Sequence, residues 1–180
     1  MTETAAVAGQ HLSPRARQIV GAARELLEQE GADALTMRRL ADRIGVKAPS
    51  LYKHFPDKAA VEVELMALSF AELADALEAA EAAAPGSLAA LFAAYRGYAL
   101  AHPGLYRLAT AGPLPRESLP PGLEERAAAP LFRELALDEH TGRAAWAFAH
   151  GMVVLELDGR FPGGADLDEA WRVGAAAFTR

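Results

Sequence analysis

Apolar residues recur at helical spacing along almost the whole chain, and glycines and prolines interrupt the pattern. A spacing of three or four residues places apolar side chains on one side of a helix, whereas a half-buried strand requires strict alternation. The chain shows no convincing strand pattern and no internal repeat. Hydrophobic residues make up 52% of it, which is typical of a globular chain rather than a disordered one. The sequence therefore predicts an all-α protein of about nine helices.

The breaks in this pattern predict where the helices begin and end. Ser13 and Thr36 are suited to capping a helix N-terminus, and Gly31 and Gly45 are suited to ending one. The predicted helices cover residues 14–30, 37–44, 49–55, 58–84, 87–101, 103–110, 123–136, 139–158 and 166–179. Residues 111–122 hold four prolines and two glycines, so they are predicted to form an irregular connection.

Basic side chains are concentrated in one short segment of an otherwise acidic chain. Residues 35–58 carry six basic and two acidic side chains, although the chain as a whole has a formal net charge of −6. All three lysines, Lys47, Lys53 and Lys58, lie in this segment. Such a basic island is typical of a phosphate-binding surface. Chance clustering on a solvated helix face is the alternative.

Within the island, two short predicted helices are joined by a tight turn at Gly45 and follow a longer helix. This order is the helix-turn-helix pattern, in which the second short helix enters a DNA major groove about 12 Å wide. Five apolar residues are expected to hold the short helices against their supports: Leu40, Ile44, Val46, Leu51 and Phe55. The side chains between them are expected to face outwards, towards DNA.

The sequence from Leu35 to Lys58 reads LTMRRLADRIGVKAPSLYKHFPDK. It resembles the DNA-binding signature of the tetracycline-repressor (TetR) family, and the resemblance extends over about residues 14–60. This resemblance implies an N-terminal three-helix DNA-binding domain, a helical ligand-binding domain, and dimerisation through the last two helices. The predicted domains are a tail at residues 1–12, a DNA-binding domain at 13–58, and a regulatory domain at 59–180.

By position, the resemblance assigns the following residues to the DNA interface: Thr36, Met37, Arg38, Lys47, Ala48, Pro49, Ser50, Tyr52, Lys53, His54 and Lys58. Arg38 resembles the position that often reaches a base. An arginine there can pair with guanine through two hydrogen bonds. Lys53 and Lys58 resemble phosphate contacts. The alternatives are that Tyr52 packs on the first helix and that His54 is a hydrogen-bonded strut.

The C-terminal half carries a second resemblance. Residues 146–156 read WAFAHGMVVLE and residues 102–108 read HPGLYRL, which are similar to a TetR-like C-terminal domain with a tryptophan–histidine–glycine motif. The helix that holds Trp146 is apolar nearly all round, so it is expected to be buried on several sides. We expect a homodimer whose interface includes Val153, Leu157, Leu167, Trp171, Gly174 and Phe178. The alternative is a purely intramolecular core.

A ligand pocket is expected between the central helices. The candidate lining residues are Phe70, Leu73, Phe92, Tyr95, Tyr98, His102, Tyr106, Trp146 and His150, each of which could instead be a core residue. No lysine follows Lys58, so the predicted effector is neutral or weakly polar and hydrophobic. A ligand-independent DNA-binding or architectural protein is the alternative function.

Other function classes find no support in the sequence. The chain has no nucleophile elbow, phosphate-binding glycine loop, dinucleotide fingerprint or zinc-protease motif, so we expect no enzyme and no cofactor. It has no cysteine, and its histidines lack metal-ligand spacing, so no metal site is expected. Residues 1–10 do not resemble a signal peptide, and no segment is long and apolar enough to span a membrane. We therefore expect a cytoplasmic protein whose partner is double-stranded operator DNA.

Overall fold

The computed structural model describes residues 12–136 and 138–179. Within these residues it contains nine α-helices, two short 3-10 turns and no strand, which confirms the predicted all-α fold class. The helices are α1 (Pro14–Glu30), α2 (Met37–Arg43), α3 (Ala48–Leu51), α4 (Lys58–Ala83), α5 (Leu88–Ala101), α6 (Pro103–Thr110), α7 (Leu123–Glu134), α8 (Glu139–Leu157) and α9 (Leu167–Phe178). The predicted N-terminal tail lies, except for its last residue, outside the described residues.

Local capping explains several of these boundaries. The hydroxyls of Ser13 and Thr36 accept hydrogen bonds from backbone amides in the first turns of α1 and α2, each over 3.2 Å. Gly31 ends α1 with a φ of 82°, in the left-handed region that favours glycine. The third helix is shorter than predicted: it ends at Leu51, whose carbonyl accepts both the His54 and Phe55 amides in a closing turn.

The chain forms two compact units that do not follow a simple division along the sequence. The first unit comprises the chain up to Glu72 together with His102–Leu123, and the second comprises Leu73–Ala101 together with the chain from Glu124. The first unit includes α6 because α6 packs against α1. The predicted boundary between residues 58 and 59 therefore stays a prediction.

The core of the first unit holds the short helices in place. Ile19, Leu40, Leu51, Val61 and Leu105 come from five different helices, and each is completely buried in one continuous cluster. Burying a side chain of this size stabilises the fold by about 1.5–3 kcal/mol. A smaller cluster covers α4, where leucines near the end of the irregular connection pack on Ala67 and Ala71.

The core of the second unit is aromatic. Phe92 of α5, Phe148 of α8, and Trp171 and Phe178 of α9 lie with ring centroids 5.6 to 6.5 Å apart. The closest approach is at Gly174, where a Cβ atom would lie 2.0 Å from the Phe148 ring. The Phe148 ring therefore rests directly against the backbone of α9.

Ion pairs tie the helices of the second unit together. Arg96 of α5 donates to both carboxylate oxygens of Glu156 over 2.8 and 2.6 Å, and to Asp168 over 2.6 Å. Arg126 of α7 likewise bridges to Asp75 and Glu78 of α4. These hydrogen bonds to carboxylates raise the pKa of both guanidinium groups, so both arginines stay charged.

Candidate nucleic-acid interface

The α2–α3 pair is built so that α3 is short and exposed on its outer side. The Val46 amide donates to the Ala41 carbonyl over 2.9 Å, and Gly45 turns the chain with a φ of 68°. Leu40 and Leu51 are fully buried beneath the two helices. The two helices therefore pack on the core through their inner sides, and their outer sides are exposed.

The structure places most of the predicted DNA-contacting side chains on this outer side. Those that are exposed are Thr36, Arg38, Lys47, Pro49, Tyr52, Lys53 and His54, while Ala48, Ser50 and Lys58 are partly exposed. Tyr52 is 53% exposed, so part of its side chain is open to a partner. The outer side of the α2–α3 pair is therefore polar, basic and compact, as a major-groove contact requires.

Met37 is the exception among these residues. It is the first residue of α2, but its side chain is only 8% exposed and belongs to the core cluster of the first unit. The assignment of Met37 to the DNA interface is therefore wrong. Its neighbour Thr36 caps the helix and Arg38 points outwards, so the helical rotation between them turns Met37 inwards.

The basic side chains of this segment are not equivalent. Arg39 pairs with Glu30, and Arg43 lies within 3.3 Å of Glu25 and 2.7 Å of Gln29, all of them on α1. Both guanidinium groups therefore already have partners on α1, with which a phosphate would have to compete. No local sequence pattern indicates these pairs, because only the packing of α1 against α2 brings the residues together.

The remaining basic side chains are more available for phosphate. Within residues 12–136 and 138–179, Arg38, Lys47 and Lys53 have no ion-pair or hydrogen-bond partner. Lys58 lies 3.1 Å from Glu62, one turn further along α4. Fewer side chains are therefore available to bind phosphate than the count of six basic residues predicts.

The predicted pocket residues are divided between the two units. Phe70, His102 and Tyr106 belong to the first unit, and Leu73, Phe92, Tyr95, Tyr98, Trp146 and His150 belong to the second. Phe92 is part of the aromatic core cluster. Trp146 is 50% exposed and stacks on His150 at 5.8 Å between ring centroids. Burial lowers the pKa of His150 below its ordinary value of 6.5.

One depression that the sequence did not indicate lies in the first unit. It has a volume of about 230 Å³ and is lined by Leu12, Arg17, Val20, Gly21, Arg24, Glu64 and Leu68. None of the predicted pocket residues lines it. Sequence periodicity gave no signal for it, because Arg17 and Gly21 are typical of a solvent-facing side of a helix.

The predicted dimer residues mostly face the interior of their own chain. Val153 is completely buried, Trp171 is 6% exposed, and Gly174 lies against Phe148 of the same chain. Phe178 belongs to the same aromatic cluster, and Leu157 and Leu167 are partly buried. This corrects the predicted interface for Val153, Trp171 and Gly174, because these residues are buried in the second unit. Phe178 is partly exposed, so its place in the interface stays a prediction.

A different side of α8 and α9 carries exposed apolar residues. Trp146 and Leu155 of α8 are 50% and 42% exposed, and Val173 of α9 is 53% exposed. Ala147 and Ala177 are also exposed, and a Cβ atom on Gly151 would meet nothing within 4 Å. We call Ala147, Gly151, Leu155, Val173 and Ala177 the outer apolar face; Trp146 lies on another side of α8, about half a turn away from Leu155.

Among the described residues, no group of histidine and carboxylate side chains is arranged to hold a metal ion. None of the described helices has the length and apolar character needed to cross a membrane.

Comparison with known proteins gives matches over both halves of the chain. Residues 19–65 match the model of the bacterial regulatory proteins of the tetR family, and residues 88–178 match a tetracyclin repressor-like C-terminal domain. An uncharacterized HTH-type transcriptional regulator of Mycobacterium tuberculosis is 32% identical over 151 residues, which cover 78% of this chain and 69% of that protein.

Two other proteins are similar to this chain. The class A tetracycline repressor from transposon 1721 of Escherichia coli is 47% identical over 57 residues, covering 32% of this chain and 25% of the repressor. A solved structure of a protein of unknown function from Rhodococcus sp. RHA1 has a TM-score of 0.78 and 27% identity, covering 94% of this chain and 96% of that one.

Proposed function

This chain belongs to the TetR family of bacterial regulatory proteins and is a DNA-binding transcriptional regulator, not an enzyme, and we propose that it is a ligand-responsive repressor. In this proposal it binds a pseudo-palindromic operator as a homodimer in the cytoplasm, and a small hydrophobic effector releases it. The more specific resemblance to the tryptophan–histidine–glycine domain type stays a prediction.

The observation that carries the proposal is the outward side of α2 and α3. Arg38, Lys47 and Lys53 combine exposure with the absence of a partner among the described residues. A guanidinium group can donate two hydrogen bonds to guanine, whereas a lysine placed beside the groove neutralises a phosphate. The same surface therefore has the means both to position the protein on DNA and to read a base.

The proposed dimer uses the outer apolar face of α8 and α9. An exposed leucine of α8 and an exposed valine of α9, on two packed helices, offer apolar surface that a second copy could cover. Small residues at 147, 151 and 177 would allow the helices of a second copy to approach closely. A twofold pairing would present two recognition helices, so the operator should contain two inverted half-sites about one helical turn apart.

The charges of the second unit support a neutral effector. Five of its arginines already form ion pairs, namely Arg96, Arg126, Arg133, Arg143 and Arg172. An anionic effector would have to compete with these carboxylates. The buried tyrosines Tyr95 and Tyr98 remain the candidate polar contacts of a largely apolar pocket.

The test begins with selection of DNA from a random pool by the purified protein. Selected sequences with dyad symmetry and binding that weakens steeply with salt would support the proposal. Sequences without symmetry, or binding that is insensitive to salt, would contradict it.

A second measurement separates the repressor from a ligand-independent DNA-binding protein. A panel of hydrophobic compounds is screened by thermal shift, and each stabilising compound is added to the operator complex. Release of DNA by such a compound supports the repressor. Stable complexes with every compound that binds would favour the ligand-independent alternative.

A further inference from the structure

The last residue of α1 presents a carboxylate to two arginines of α2. Glu30 accepts a hydrogen bond from the Arg39 guanidinium and lies 3.8 Å from that of Arg43. Arg43 also donates to Gln29 over 2.7 Å and lies 3.3 Å from Glu25. Both guanidinium groups are therefore held against α1, and Glu30 is the residue that contacts both.

Arg39 lies close to the predicted DNA contacts, although its guanidinium is turned away from them. Its amide donates to the Thr36 hydroxyl over 3.2 Å, and Arg38 precedes it directly. Consecutive side chains leave a helix about 100° apart. Arg38 is therefore open to DNA, whereas Arg39 points towards α1 and is paired with Glu30.

The pair of Glu30 and Arg39 is exposed enough to exchange with a phosphate. The two side chains are 40% and 46% exposed. An exposed ion pair is weak, because water and salt screen its charges. A phosphate beside α2 can therefore compete for Arg39, and the Glu30 carboxylate opposes this exchange.

We propose that Glu30 is a specificity-determining residue that limits sequence-independent DNA binding by holding Arg39 away from phosphate. Sequence-independent affinity comes almost entirely from phosphate contacts. At an operator the base contacts fix the position of the protein, whereas on other sequences it can shift to the position in which most cations meet phosphates. A released Arg39 therefore adds more to sequence-independent binding than to operator binding.

This role matters because a genome offers about 10⁶ or more competing sites. Each phosphate contact that is withheld on those sites leaves more protein available for the operator. Glu30 acts through Arg39, so it is a positioning residue that need not touch DNA itself. The proposal rests on DNA binding alone and not on the proposed response to an effector.

The test compares the full-length protein with its Glu30→Ala variant on selected operator DNA and on a scrambled sequence, by fluorescence anisotropy over a salt series. Alanine is compatible with the end of a helix, so the fold should persist. Affinity for scrambled DNA should rise by about three- to tenfold at about 0.1 M salt, and the salt slope should steepen by about 0.9, as expected for one further phosphate contact. Affinity for the operator should rise less.

Two controls separate this role from a general change in charge. In an Arg39→Ala background, Glu30→Ala should give no gain, because the guanidinium through which Glu30 acts is absent. Asp42→Ala removes the same charge from α2, but Asp42 has no ion-pair partner among the described residues, so it should leave the salt slope unchanged.

Unchanged affinity of Glu30→Ala for scrambled DNA would overturn the proposal. A gain that persists without Arg39, or that Asp42→Ala reproduces, would overturn it as well. An equal gain on operator and scrambled DNA would show that Glu30 does not affect specificity. Failure of the wild type to bind either DNA would instead contradict the DNA-binding function itself.

Discussion

At the scale of single residues, the ion pairs on α1 separate the basic side chains into two groups with different expected roles. Arg38 and Lys53 have no partner among the described residues, whereas Arg39 is paired with Glu30. We expect Arg38→Ala to weaken binding by about 1–3 kcal/mol and to relax the preference at one base pair. Lys53→Ala should weaken all sequences alike and reduce the salt slope by about one. Fluorescence anisotropy over a salt series, with operator and scrambled DNA, measures both effects.

Arg39→Ala is the control for this comparison. Because Arg39 is already paired with Glu30, its removal should change the salt slope of DNA binding less than the removal of Lys53 does. If the salt slope falls equally in Arg39→Ala and Lys53→Ala, pairing with Glu30 does not keep Arg39 from contacting phosphate.

A second prediction at this scale concerns Gly174. The Phe148 ring occupies the place of a Cβ atom there, so Gly174→Ala should overpack the core and lower the free energy of unfolding by about 1–3 kcal/mol. Gly97→Ala is the matched control, since Gly97 lies in α5 with nothing within 4 Å of its Cβ position. Urea denaturation of the two variants measures the difference. Equal stability of both variants would contradict the close contact.

His150 provides a prediction about pH. Its folded-state pKa is lowered by burial, so the unfolded chain takes up a proton near pH 6.5 more readily than the folded chain does. The free energy of unfolding should therefore decrease as the pH falls below 6.5, and this contribution should vanish at higher pH. Urea denaturation at about pH 7.5 and about pH 5.5 checks the sign. In His150→Gln the loss of stability at the lower pH should be smaller, and an identical loss would exclude this cause.

At the scale of helices, their positions were predictable because their ends are determined locally. Ser13, Thr36 and Gly31 perform the capping roles that their residue types indicate. The side of a helix that faces a partner is a different matter. The helix α8 is apolar nearly all round, and such a pattern contains no information about which side meets the chain's own core. The sequence therefore predicts Trp171 and Gly174 at a dimer contact, although they pack inside one chain.

The same limit applies to the site. The outward residues of α2 and α3 follow from spacing within one short segment, so the sequence was sufficient to find them. Pairing of Arg43 with Glu25 joins residues of separate helices, and no local pattern indicates it. The division of the pocket candidates between two units follows from the packing of α6 on α1, which is equally non-local.

The outer apolar face leads to a prediction about α8. A side chain added at Gly151 meets nothing within its own chain, so Gly151→Arg should leave the folded chain intact. If a second copy covers this face, however, the buried charge would oppose association. We expect this variant to be monomeric by sedimentation and to lose most of its operator affinity, because two linked half-site contacts become one. Gly97→Arg, at an open position on α5, should remain dimeric; a dimeric Gly151→Arg protein would place the interface elsewhere.

At the scale of the whole molecule, regulation requires that DNA and effector favour different states of the same chain. The helix α4 runs without interruption from Lys58, beside the DNA-binding helices, to Ala83, and it belongs to both units along its length. An effector that displaces the later part of α4 would change the spacing of the two recognition helices in a dimer. A small change in that spacing is sufficient to remove the advantage of binding both half-sites at once.

The final prediction follows from the reciprocity of such coupling. An effector that prefers the state unable to bind DNA by about 1–3 kcal/mol weakens operator binding by the corresponding factor. Operator DNA must then weaken effector binding by the same factor, because the two effects are sides of one thermodynamic cycle. We therefore expect any compound that releases the protein from its operator to bind the DNA complex about 5- to 150-fold more weakly than the free protein. Isothermal titration of the compound into free protein and into the operator complex measures both affinities. Equal affinities would exclude the release mechanism and favour a DNA-binding protein whose regulatory unit acts only in dimerisation.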